Sequence, residues 1–169
     1  WEALMIKTEI QNHELVVHEP LNVENMLHVV NSVFTARGQN IVIVQRAEVE
    51  ALVLAVKVQA DAYVVDERTM RLLVEDPYRL QTLLEKKLHT QVKLEKDKLQ
   101  IFQAFVKGVK IIRSTELMII ALEKGILDKY VAGSSKREVA DAILWSLRLR
   151  GCAIATEEIE DLVKLERAN

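Results

Sequence analysis

"AEVEALVLAVKVQADAYVVDER", residues 47–68, decides how the chain is read. Glu48 and Glu50 open it, Asp66 and Glu67 close it, and the residues between are dense in Val, Leu and Ala. That density is enough to bury a helix almost all round. The reading is a helix over 46–59 followed by a short buried strand, "AYVV" (62–65). Its carboxylates then fall in the first turn of a helix and directly after a strand.

Around this stretch the chain has 169 residues, half of them apolar and 28% charged, which fits about one globular domain. No apolar run approaches the roughly 18 residues of a membrane helix, and no signal-peptide pattern is present. The single cysteine, Cys152, has no internal disulfide partner, so a reducing, cytoplasmic location is expected. A net charge of −2 argues against a surface that binds nucleic acid everywhere, but leaves room for a local basic patch. The chain opens on Trp1 rather than Met, and a further N-terminal stretch is expected upstream.

Other elements follow from the same patterning. "ELVVHEP" (14–20) reads as a strand stopped by Pro20, residues 22–36 as an amphipathic helix, and "NIVIV" (40–44) as a strand. Glu67–Glu75 is helical and Pro77 breaks it or begins another helix. Residues 79–110 form two charged helices around a break near 89–91, and "VKII" (109–112) is a strand. Helix 115–124 is capped by Ser114 or Thr115. Ser135 and Glu138 make a capping box for a helix ending near Arg150, and Thr156 caps the last one. Gly38, Gly125 and Gly151 are placed where helical runs close. Short apolar strands alternating with helices predict an α/β sandwich with a largely parallel sheet. In such sheets function gathers at the carboxyl ends of strands, where Asp66-Glu67 and Ser114-Thr115 lie.

Two readings of the carboxylates stand side by side. Acids in a first turn are stabilised by the helix dipole, and Asp66-Glu67 can simply start a helix. Alternatively, carboxylates from two elements converge on a hard divalent cation, which prefers oxygen ligands. Glu48 and Glu50 are about 200° apart on a helix, so only one of them can face Asp66.

"AEVEALVLAVKVQADAYVVDERTMRLL" (47–73) resembles the centre of PIN-domain proteins, in the branch with a Gly-Glu-x-Glu-Ala helix and an Asp-Asp-Arg strand end. "VKIIRSTELMIIALEKGILDKY" (109–130) is similar to that branch's strand, turn and following helix. "ADAILWSLRLRGCAIATEEIEDLVKL" (140–165) is similar to its closing helix pair, and "VVHEPLNVENML" (16–27) is a weaker match to a strand, proline and helix with a glutamate. The resemblance implies a three-layer sandwich in one domain over 1–169, a helical insertion at 79–108, and a first strand lying upstream of Trp1. It implies a Mg²⁺- or Mn²⁺-dependent endoribonuclease, toxin-type or RNA-processing, acting on RNA. An antitoxin-type protein partner, a homodimer and no membrane association are part of the same expectation. The alternative is a catalytically silent PIN-like module that binds RNA or a protein. Glu48 and Asp66 carry over as catalytic metal ligands, with Glu50 and Glu67 beside them and Glu24 as the helical glutamate. The chain departs from the pattern at Ala47, at Glu67 and at Arg113-Ser114, and contains no Asp-Thr-Ser or Asp-Thr-Asn strand.

Other features carry less. His13 and His18 are five apart, which the four-residue spacing of a zinc-binding helix pair excludes. Residues 79–110 hold eight Lys or Arg against three acids, either an RNA clamp or lysines lying over Leu83, Leu84, Ile101 and Phe102. Cys152 reads as a small packed residue. Trp145, with Leu144, Leu147 and Leu149, reads as helix core or a dimer surface.

Overall fold

The computed structural model describes residues 1–131 and 133–165. In chain order the elements are α1 (Glu2–Gln11), α2 (Glu24–Val30), β1 (Phe34–Ala36), β2 (Gln39–Asn40), α3 (Arg46–Lys57), β3 (Tyr63–Val64), α4 (Arg68–Glu75) and α5 (Pro77–Leu88). They continue with β4 (Lys93–Leu94), α6 (Lys96–Phe105), β5 (Ile111–Ile112), α7 (Ser114–Glu123), α8 (Asp128–Val131), α9 (Lys136–Leu149) and α10 (Thr156–Leu165).

The expected α/β sandwich with a largely parallel sheet is corrected here: the described residues are 59% helix and 7% strand. Three strands form a small antiparallel sheet in the order β2-β1-β4, and β3 pairs in parallel with β5 alone. The reason is where the apolar runs send their backbone groups. In "NIVIV" the Ile43 and Val44 N–H groups donate to Asn31 Oδ1 at 2.8 and 3.1 Å. Asn31 Nδ2 in turn donates to the Val44 carbonyl at 3.1 Å, so one side chain replaces a neighbouring strand. "ELVVHEP" forms no strand, and Val16 and Val17 are 74% and 72% exposed. Residues 22–36 are not one helix: α2 ends at Asn31, the Ser32 hydroxyl donates to the His28 carbonyl, and the chain turns into β1.

The hairpin from β1 to β2 explains Gly38, which closes no helix. Arg37 and Gly38 have φ of 52° and 78°, the left-handed pair that a two-residue hairpin of right-handed twist requires. β1 pairs on its other side with β4, Phe34 opposite Leu94. The charged segment 79–110 thus supplies a strand, and Leu80, Val92, Leu99 and Phe102 join Val30, Val33, Phe34, Leu52, Met70 and Leu73 in the main core.

The helix starts follow local chemistry. Pro77 occupies the first turn of α5, where its missing N–H has no helical partner to lose, and Asp76 caps it through the Arg79 N–H at 2.9 Å. Ser135 and Glu138 form the reciprocal box that opens α9. A second, smaller cluster gathers Leu144, Ile154, Ile159 and Val163, with Ile119 packed against it. α1, unanticipated from the sequence, buries none of its residues. No helix among the described residues is long and apolar enough to cross a membrane.

Candidate functional site at the end of the parallel strand pair

β3 and β5 run side by side, Tyr63 opposite Ile111 and Val64 opposite Ile112. Both chains leave the pair at the same end and both enter helices there, β3 through Asp66-Glu67 into α4 and β5 through Arg113 into α7. Asp66 Oδ1 accepts the Ser114 N–H at 2.9 Å, so the acid after one strand satisfies the start of the helix after the other. Burial pushes the Asp66 carboxyl up. The Ser114 hydroxyl and N–H, the Cys152 thiol and the Arg113 charge outweigh that and hold it below its ordinary value. Ser114 Oγ also lies 3.8 Å from Cys152 Sγ. Burial, and then the field of Asp66, push the Cys152 thiol up, so it is a poor nucleophile at neutral pH.

Glu48 sits in the first turn of α3, and its Oε2 is buried with no hydrogen-bond partner. The Tyr63 hydroxyl donates to the Glu48 carbonyl at 3.3 Å. Burial raises the Tyr63 phenol above its ordinary value, and the charges of Glu48 and Glu67 raise it further. Both carboxylates are therefore within electrostatic reach of one hydroxyl. Glu67 also serves the backbone, because its Oε2 accepts the Met70 N–H at 2.6 Å and caps α4.

The other two candidates are held elsewhere. Arg46 binds Glu50 through Nε at 2.8 Å and binds Glu24 through Nη1. Glu24 is the more open of the two, its side chain 64% exposed. The five sequence-predicted acids thus divide into two sets, Glu24 and Glu50 on Arg46, and Glu48, Asp66 and Glu67 around the end of β3. Among the described residues, no three His, Cys, Asp or Glu side chains gather closely enough to hold a metal ion.

The residues sequence reasoning missed are Tyr63 and Arg113. Tyr63 was hidden inside an apolar strand run. Arg113 is 8% exposed and binds Glu116 on α7 at 3.1 Å and Glu158 on α10. An Arg directly after an apolar strand, three residues before a glutamate, is the signal that could have found it. Comparison of the chain with protein-family models, with curated proteins and with solved structures finds no match in any of the three.

Proposed function

We propose that the chain is a PIN-like, Mg²⁺- or Mn²⁺-dependent endoribonuclease whose working acids are Glu48, Asp66 and Glu67. The observation that carries this reading is the buried, unpartnered Oε2 of Glu48. A buried carboxylate oxygen without a donor is destabilising, and a hard cation is the kind of group that would satisfy it. All three residues offer oxygen, the donor a hard ion prefers, but among the described residues no three acids close into a site, so water and substrate phosphate would have to complete the shell. When bound, Mg²⁺ or Mn²⁺ supplies an activated water and a counter-charge for the phosphodiester. Glu48 would contribute its unpartnered oxygen, Asp66 a carboxylate fixed in direction by the Ser114 N–H, and Glu67 the oxygen left over from its cap on the Met70 N–H.

A second reading is a catalytically silent PIN-like module that binds RNA. It is favoured by the hydrogen bonds that engage Asp66 at α7 and Glu67 at α4. Calorimetric titration with Mn²⁺ separates the two. The nuclease reading expects saturable binding that weakens about tenfold or more in Glu48→Gln and in Asp66→Asn, with loss of single-stranded RNA cleavage in both. A wild-type chain that binds no divalent ion leaves the silent module as the better account.

A further inference from the structure

We infer that the cleft between the start of α4, α5 and the segment before α10 is a phosphate-binding site. Arg68, Arg71 and Arg79 all line it, together with Leu72, Ile154 and Glu158, and it encloses about 380 Å³. That volume lies within the roughly 300–1,000 Å³ of small-molecule sites.

The charge balance of the cleft is one-sided. Among the described residues, Arg68 and Arg79 have no ion-pair partner. Arg71 Nε is buried without a hydrogen-bond partner, and its nearest acid, Glu75, stands at 4.0 Å, too far for a hydrogen bond. Glu158, the acid on the wall, is committed to Arg113, which does not line the cleft. Three guanidinium groups therefore share one concavity whose acid is already engaged.

Leu72 and Ile154, both nearly buried, give the cleft an apolar floor that limits competition from water. A guanidinium is a planar fork of donors that matches the oxygens of a phosphate two at a time. Arg68 and Arg71 are three apart on one helix and so present adjacent forks. A phosphate group, whether a free ester or the backbone of a nucleic acid strand, is the ligand that meets all three. This inference rests on the arginines and does not need the metal reading.

The test uses the whole chain and three probes: inorganic phosphate, adenosine 5′-monophosphate and a short fluorescent single-stranded RNA. Two variants are measured beside the wild type, Arg71→Met and the exposed pair Arg68→Gln/Arg79→Gln. The pair is included because Arg71 is half-buried and its loss could disturb packing. At least one probe should bind the wild type and lose about tenfold or more in affinity in each variant. If the RNA is that probe, the slope of log affinity against log salt should shrink by about 0.7 for each lost phosphate contact. Loss confined to inorganic phosphate and the mononucleotide identifies a small ester as the source. Loss extending to RNA identifies the backbone. All binding is measured with EDTA present and should be unaffected by it, which separates it from any failure of the metal site. The inference is overturned if the wild type binds none of the three probes, or if the arginine pair variant binds them as the wild type does.

Discussion

Glu48 is where stability and proposed chemistry pull in opposite directions. Its backbone is well served, starting α3 and accepting the Tyr63 hydroxyl, while its Oε2 is shut away from both water and donors. A fold selected for stability alone would gain by replacing it with a side chain of similar length and no charge. Glu48→Met should therefore stabilise the metal-free chain by about 1 kcal/mol, a modest figure because only one carboxylate oxygen is deprived and the residue is partly exposed. A urea titration gives that number. The same variant should bring the Tyr63 phenol back toward its ordinary 10.0, since it removes one of the two charges that raise it and leaves burial in place. Alkaline difference absorbance reads the phenol directly. A destabilised Glu48→Met with an unmoved Tyr63 would mean that Glu48 is held by something other than the pocket described.

At the scale of elements, Asn31 stands in for a missing strand. It engages two N–H groups and one carbonyl of 43–44, converting a run of strand-forming residues into a pinned loop. Asn31→Ala should destabilise the chain by about 2–3 kcal/mol, because three partly buried backbone groups lose their partner together. Amide hydrogen exchange at Ile43 and Val44 should rise with it, and unchanged protection there would show that other groups hold the loop. Asn31 also shows what was legible in the sequence. The helices were readable because their signals are local: Pro77 at a first turn, the Ser135–Glu138 box and the apolar spacing of α3. The strands were readable only in part: "AYVV" and "VKII" do form β3 and β5, but an apolar run specifies burial and not its hydrogen-bond partner. "AYVV" and "VKII" found each other, "NIVIV" found Asn31, and "ELVVHEP" found none among the strands. The site was legible to the same extent. The position of Asp66 and Glu67 after a strand follows from sequence, whereas the claim of Arg46 on Glu24 and Glu50 is a contact between separated elements.

For the molecule as a whole, the two apolar clusters raise the question of whether they melt as one. The main core draws on α2 to α6, and the smaller cluster on α9, α10 and the segment between them, with α7 packed on α9. Arg113 bridges these regions: it follows β5, whose partner β3 belongs to the main core, and binds Glu158 on α10. Its charge is nearly buried while Glu116 and Glu158 remain 41% and 38% exposed, so the pair is worth less than a fully buried one. Arg113→Met keeps the apolar stem but leaves the two carboxylates facing each other unneutralised, and should lower stability by about 2 kcal/mol. The loss should fall mainly on the smaller cluster. Trp145 lies on α9, and the other tryptophan, Trp1, is 90% exposed, so fluorescence reports chiefly on that region. Circular dichroism reports on helices throughout. In the wild type the two urea transitions should coincide. In Arg113→Met the fluorescence midpoint should fall below the dichroism midpoint, as α9 and α10 detach before α3 to α6 unfold. Coincident transitions in the variant would show instead that apolar contacts alone couple the two clusters, and that Arg113 serves the strand end rather than the whole molecule.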